Sequence, residues 1–218
     1  MQAFVAHPRM GKVNAVHLDS IYQLRYRAFR ERLNWEVATV NERERDHYDD
    51  QHPVYVMVRD AQQVLACARL LPTTGPYMLQ DTFPQLLTGR SAPVDDAIWE
   101  ISRFAVTNGA RAGLGFTTLP AALIRQIICF AVLNGIREYV FVTTVAFERL
   151  LVRMGVHLER FGPPQQIGIE KSVALRVFMD EQTIHATRAD CEIDPFLGAP
   201  TAEDLLDREP TAGTYQYY

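Results

Sequence analysis

A chain of 218 residues with 48% hydrophobic and 22% charged side chains can bury one substantial core and has the balance of an ordinary globular protein. No apolar run is long enough to span a bilayer, and the start Met1-Gln2-Ala3-Phe4-Val5 lacks the basic and apolar segments of a signal peptide, so the protein is expected in the cytoplasm. A formal net charge of −4 argues against chain-wide affinity for nucleic acid, and three scattered cysteines, Cys67, Cys129 and Cys191, read as buried thiols rather than a disulfide framework or metal site.

Phe4 to Ala6 can form a short first strand. From about Leu18 to Leu33, Tyr22, Tyr26, Phe29 and Leu33 recur at helical spacing and predict a helix with one aromatic stripe. Arg25 lies beside that stripe, and Trp35 marks the exit into a polar stretch that runs to Asp50. Strands are expected over Pro53–Val58 and Val64–Leu71. Val54, Val56 and Val58 alternate there with Tyr55 and Met57, so both faces should be covered. Pro72-Thr73-Thr74-Gly75-Pro76-Tyr77 stacks turn formers, and a long excursion past Phe83-Pro84 ends where Ile98 re-enters as a strand. Asn108 to Gly115 is glycine-rich. A helix then follows from about Thr118 to Asn134, with Leu119, Leu123, Ile127 and Ala131 in a four-residue rhythm and Gly135 as its stop. Tyr139–Thr144 reads as a strand, Phe147–Met154 as a short helix closed by Gly155, and Ser172–Met179 as a further strand. Strands interleaved with helices and covered on both sides predict one α/β sandwich domain around a mixed sheet. The tail from about Asp194 to Tyr218 is expected to be loosely attached.

The charged residues of Trp99-Glu100-Ile101-Ser102-Arg103-Phe104 are the strongest chemical signal, because an interior strand carries a carboxylate and a guanidinium. Burial without a partner would raise the pKa of Glu100 and make it a general base near neutrality; the alternative is an inert ion pair with Arg103 or Arg69. Strand parity puts Glu100 and Ser102 on one face and Arg103 on the other, so a meeting of Glu100 and Arg103 requires a bulge or a twist at Ser102. Such a bulge would also free backbone N–H groups for a carbonyl oxygen. Arg69 ends its strand at what reads as the rim. Glu44, Asp46 and Asp49 crowd negative charge into one loop, where they can bind a metal, pair with Arg25, Arg69 and Arg103, or receive a ligand carrying an ammonium or sulfonium cation, and pairing and ligand binding can operate together. The loop lacks the glycine and ligand spacing of a calcium site, and no metal is expected. The glycines at 109, 113 and 115 fit neither a P-loop nor a dinucleotide fingerprint and read as a connection. Of the adjacent Thr143 and Thr144, one must face each side of the sheet; either the inward one bonds a polar group on an oily ligand or both serve β-propensity alone. Arg149 and Arg153, four apart on one helix face, make either a basic patch for an acidic partner or a solvated surface.

Taken together, Leu24-Arg25-Tyr26-Arg27-Ala28-Phe29, Trp35, Glu44-Arg45-Asp46-His47-Tyr48-Asp49, Arg69 through Leu79 and Trp99 through Phe104 resemble, in order, the blocks of the bacterial acyl-homoserine-lactone synthases. Phe161-Gly162-Pro163-Pro164 and Ile167-Gly168-Ile169-Glu170 extend the resemblance to at least Val177. It implies a fold similar to the N-acetyltransferases, an α/β/α sandwich around a mixed, mostly antiparallel twisted sheet. It also implies the N-acylation of S-adenosylmethionine by an acyl thioester, usually on acyl carrier protein, followed by lactonisation with release of methylthioadenosine to give a quorum-sensing signal. No cofactor is implied, since S-adenosylmethionine is a substrate. Carried over residue by residue, the family's set falls on Arg25, Phe29, Trp35, Glu44, Asp46, Asp49, Arg69, Phe83, Glu100 and Arg103. The resemblance implies catalytic roles for Glu100, Arg103, Glu44 and Asp46, with Arg25, Phe29, Trp35, Asp49, Arg69, Phe83, Ser102, Phe104, Thr143 and Thr144 around the substrates. Family members that make 3-oxo-acyl products tend to keep a threonine at the position of Thr143, while Phe141 stands where some have another threonine. Arg149 and Arg153 are the candidates for docking acyl carrier protein. The competing readings are the same reaction with an acyl-CoA or aryl-CoA donor, a general N-acyltransferase using acyl-CoA, for which the glycine loop is a poor match, and a ligand sensor on the same fold.

Overall fold

The computed structural model describes residues 2–6, 15–60, 63–107 and 118–189. The glycines at 109, 113 and 115, Cys191 and the tail from Asp194 lie outside the described residues. The first strand, β1 (Gln2–Ala6), pairs with β4 (Val54–Asp60), which forms a hairpin with β5 (Gln63–Pro72). β5 pairs antiparallel with β6 (Ile98–Val106), and β6 runs parallel to β7 (Glu138–Thr144). Beyond it lie β10 (Glu170–Phe178) and β8 (Leu158–Arg160), with β9 (Gln165–Ile167) on the same edge of β10. The mixed, mostly antiparallel sheet thus has order β1-β4-β5-β6-β7-β10-β8.

Alternation in β4 separates two cores. Val54, Val56 and Val58 face α3 (Thr118–Leu133), whose Leu119, Leu123, Ile127 and Ala131 are buried, as their spacing predicts. Tyr55 and Met57 face the opposite layer, where α1 (Ala15–Arg25) contributes Ile21 and Leu24. The predicted helix over 18–33 is continuous, but after Arg25 it widens into π-type turns over Tyr26–Arg32. The wider spacing brings Ala28 and Phe29 inward together, and the Trp35 N–H donates to the Phe29 carbonyl at 2.8 Å. A small hairpin, β2 (Thr39–Val40) with β3 (Arg43–Glu44), then delivers Glu44 to the buried face.

Two irregularities in β6 shape the centre of the molecule. In the β5–β6 ladder Cys67 opposes Ala105 whereas Arg69 opposes Ser102, so β6 carries one extra residue, and Arg103 adopts a left-handed φ of 53°. A bulge is therefore present immediately after Ser102. On its other edge β6 is bonded to β7 only from Ile98 opposite Glu138 to Glu100 opposite Val140, although both strands run on. The strands part at that point and leave a wedge, open toward their C-terminal ends.

Candidate active site

The acidic loop closes on three arginines drawn from three elements. Asp46 and Asp49 open the 3-10 turn His47–Gln51 with a capping box: the Asp46 carboxylate accepts from the Tyr48 N–H and the Asp49 carboxylate from the Asp46 N–H. Arg25 reaches this turn from α1, with Nη1 and Nη2 on the two Asp49 oxygens at 2.8 and 2.9 Å and Nε on Glu44 at 2.5 Å. Arg69, from β5, bonds Asp46 and, at 3.0 Å, Asp49, while its Nε donates to Ser102 Oγ at 3.0 Å. Arg103, turned by the bulge onto the same face, meets Glu44 at 3.1 Å and Asp46 at 2.6 Å. The loop pairs with all three arginines, one of the readings its charges allowed. Arg69, read as a rim residue, is instead fully buried, as are Arg25 and Glu44, because β5 continues past it to Pro72 and the turn covers it.

Burial and pairing pull the carboxyls of this cage in opposite directions. Burial alone would raise Asp49, but the bidentate Arg25, then Arg69 and the Asp46 N–H, hold it well below the usual carboxylate range. Asp46 is lowered in the same way, with Arg69 and Arg103 outweighing burial. Arg103 is itself lowered, chiefly by burial and further by its neighbours Arg69 and Arg25, against Glu44 and Asp46; a guanidinium nevertheless keeps its proton. Met78 completes the cage from an unexpected side: its sulfur lies 3.3 Å from Arg69 Nη2 and 3.2 Å from Arg103 Nη1.

Glu100 forms neither of the ion pairs considered from the sequence. Its carboxylate accepts the backbone N–H groups of Met78 at 3.0 Å and Leu79 at 2.7 Å, at the start of the short helix α2 (Met78–Asp81). It is 1% exposed. Burial raises its pKa to about 7, against the pull of those two N–H groups and of Arg69 and Arg103. Phe83 packs beside Met78, Tyr48 and Leu71 just after α2. At the other side of the cage Phe29 and Trp35 stack with ring centroids 5.3 Å apart and planes 5° from parallel, and Arg103 sits over the Phe29 ring at 5.6 Å.

The wedge between β6 and β7 opens into an apolar cavity on the α3 side. Ser102, Arg103 and Phe104 line it from β6, Phe141 and Thr143 from β7. Its far walls come from α3 and from α4 (Val145–Met154), which supplies Phe147 and Leu151. The two threonines divide as parity requires. Thr143 lines the cavity, whereas the hydroxyl of Thr144, counted with the substrate residues, accepts from the Phe147 N–H at 3.3 Å as the N-cap of α4. Arg149 and Arg153 lie exposed on the outer face of the same helix. Among the contributors that escaped sequence reasoning are Met78, whose thioether gives no charge signal, and Thr187 of α5 (Glu181–Thr187), which lines the cavity from beyond the last strand expected. The Asp180 N-cap ahead of α5 was the available signal.

The chain is similar to proteins of known family. The profile of the autoinducer synthase family matches residues 10–187. An acyl-homoserine-lactone synthase of Pseudomonas aeruginosa is 41% identical over 169 residues, which cover 76% of this chain and 84% of that protein. The crystal structure of the acyl-homoserine-lactone synthase LasI superposes with a TM-score of 0.80 at 38% identity, covering 85% of this chain and 93% of that one. BjaI, a CoA-dependent acyl-homoserine-lactone synthase solved with MTA, gives a TM-score of 0.77 at 26% identity over 92% of this chain and 90% of its own. An N-acetyltransferase-like structure from Lactobacillus plantarum, at 12% identity and a TM-score of 0.56, covering 83% of this chain and 100% of its own, shares the fold. The ordered blocks, the sheet with its parting at β6 and β7, and these likenesses agree: the chain belongs to the autoinducer synthase family.

Proposed function

We propose that the wedge between β6 and β7 is where this acyl-homoserine-lactone synthase joins its two substrates, with S-adenosylmethionine at the ion cage and the acyl chain of the thioester in the apolar cavity. One observation carries the reading: Ser102 and Arg103, adjacent on β6, belong to both the cage and the cavity. Amine and thioester carbonyl then meet at the mouth of the wedge, held in the orientation that makes the attack effectively intramolecular. The cage balances Arg25, Arg69 and Arg103 against Glu44, Asp46 and Asp49, so ionised Glu100 supplies the negative charge that matches the net positive charge of a sulfonium amino acid.

Glu100 takes a proton from the substrate ammonium, directly or through water. A pKa of about 7 suits that task, and each carboxylate oxygen keeps a lone pair beyond the one held by a backbone N–H. The free amine attacks the thioester carbonyl, whose oxyanion receives backbone donors of β6 that face the gap. The thiolate leaves with the proton and an amide remains. The substrate carboxylate then attacks its own γ-carbon, the C–S bond breaks, and methylthioadenosine departs as a neutral thioether. Phe29 and Trp35 wall the amino-acid side, and Thr143 bonds a polar group near the head of the acyl chain.

We further read the donor as an acyl carrier protein in the cytoplasm. Arg149 and Arg153 are exposed on α4, whose inner residues Phe147 and Leu151 line the cavity, so an acidic carrier docked there sits next to the entry. The test is incubation with S-adenosylmethionine and a panel of carrier-protein and CoA thioesters, with mass spectrometry of the organic extract. The expected products are an acyl-homoserine lactone and methylthioadenosine, and a product retaining the open carboxylate would refute lactonisation. Arg149→Glu with Arg153→Glu is expected to raise KM for the carrier-protein donor about tenfold or more, while a CoA thioester is used as before. Equal loss with both donors would remove the docking role.

A further inference from the structure

The Phe161-Gly162-Pro163-Pro164 run has no part in the roles above, yet its packing is unusually tight. Phe161 is buried with Tyr77, Leu79 and Leu86. A Cβ placed on Gly162 would lie 1.9 Å from Thr88 Oγ1, 2.7 Å from Thr88 Cβ and 3.1 Å from the Leu86 carbonyl oxygen. Gly162 does not adopt a left-handed φ, so space rather than backbone conformation requires glycine there. A second tie joins the same partners, since Gln165 Nε2 donates to the Gln85 carbonyl at 2.7 Å.

The element pressed by Gly162 is the 3-10 turn Pro84–Leu87, and a short bonded path leads from it to the cage. The Leu86 N–H donates to the Phe83 carbonyl at 3.1 Å and the Phe83 N–H to the Met78 carbonyl at 3.0 Å. Met78 in turn donates to Glu100 and sets its sulfur against Arg69 and Arg103. We propose that Gly162 is a positioning residue for the amino-acid half of the reaction. Its bare α-carbon lets the 161–167 segment seat the Pro84–Leu87 turn at the depth that fixes Phe83 and Met78 against the cage. The proposal rests on the reading of the cage as the S-adenosylmethionine pocket.

Calorimetric titration of S-adenosylmethionine, with KM for the acyl donor and the thermal midpoint, tests it. Gly162→Ala is expected to weaken S-adenosylmethionine binding about fivefold or more while KM for the acyl donor stays within about twofold. Thr88 has a φ of 50°, which glycine adopts without strain, so Thr88→Gly alone is expected to bind normally. The double variant removes the two nearest atoms of the clash and is expected to recover most of the affinity. Gln165→Ala loosens the second tie and is expected to weaken binding about two- to threefold with the thermal midpoint unchanged. The idea is overturned if Gly162→Ala binds normally, if the double variant is no better than the single, or if affinity for both substrates falls together. Should Gly162→Ala fail to fold, normal affinity in Gln165→Ala overturns it. A wild-type protein that forms the lactone yet whose affinity ignores all these changes fails this proposal alone. A wild type that does not bind S-adenosylmethionine fails the assignment of the pocket.

Discussion

At Glu100, burial and hydrogen bonding compete, and burial wins: the pKa is raised to about 7 although two backbone N–H groups favour the anion. If Glu100 is the base, kcat/KM rises with pH through about 7, and Glu100→Gln loses about 10²-fold or more together with that acid limb. Stability has the opposite sign. A carboxyl whose folded pKa is raised holds its proton longer in the native state than in the unfolded one. Its ionisation therefore costs stability progressively between the ordinary glutamate value and about 7, by at most about 4 kcal/mol. Glu100→Gln should accordingly be no less stable than wild type at pH 8 in urea denaturation, and an equal fall in stability and turnover would make Glu100 structural only. The sequence made this carboxylate conspicuous, but the partners it offered as the inert alternative were arginines. Charge matching suggests arginine, whereas the donors are main-chain groups brought in by a helix start that leaves no mark in side-chain chemistry. Met78 was missed for the same reason, since nothing in a thioether foretells its position between two guanidiniums.

Adjacent residues on β7 separate two tasks. Thr144→Ala removes the cap of α4 and should lower stability by about 1 kcal/mol in thermal unfolding, with little change in which donors are used. Thr143→Val keeps the shape and the strand but removes a hydroxyl from the cavity; it should leave stability nearly unchanged and reduce preference for 3-oxo over unsubstituted donors in a competition assay read by mass spectrometry. The reverse pattern would exchange their roles. Parity announced that one threonine must face each way but could not say which, because the answer depends on the bulge and the parting of the neighbouring strand. Elements with strong periodicity, such as α3 and the β4–β5 hairpin, were legible within a few residues. The hairpin β2–β3, the strands β8 and β9, and α2 are too short to carry a period and owe their form to tertiary contacts. The widened turns after Arg25 were likewise invisible, since their pattern of aromatics also fits an α-helix.

Across the whole molecule, the ion cage ties together chain segments far apart in sequence. Arg25 is its most committed member: every one of its nitrogens faces Glu44 or Asp49, and all three side chains are fully buried. Arg25→Ala would leave buried Glu44 with Arg103 and buried Asp49 with Arg69 as their cationic partners, each short of one guanidinium, and is expected to cost about 3–5 kcal/mol in chemical denaturation at pH 7. Asp46 and Asp49 have lowered pKa values, so their contribution is complete above the ordinary aspartate value and is lost as pH falls below it. The Arg25→Ala penalty should therefore shrink at pH 3, and a penalty independent of pH would point to lost packing instead. The residues of this cage were readable as a set, because opposite charges in an apolar fold must find one another, while its depth was not: Arg69 looked peripheral only because the turn that covers it has no apolar run of its own.

The short union of β6 with β7 has a wider consequence. The ion cage is built from α1, β3, the His47–Gln51 turn, β5 and β6, whereas the lining of the apolar cavity comes mainly from α3, α4, α5 and β7, and among the described residues Ser102 and Arg103 belong to both. If the acyl chain lies in that cavity as proposed, inheritance can remodel one chamber while the other stays constant: bulk gained or lost at Phe141 or Leu151 then alters the message a cell sends without disturbing how its common precursor is handled.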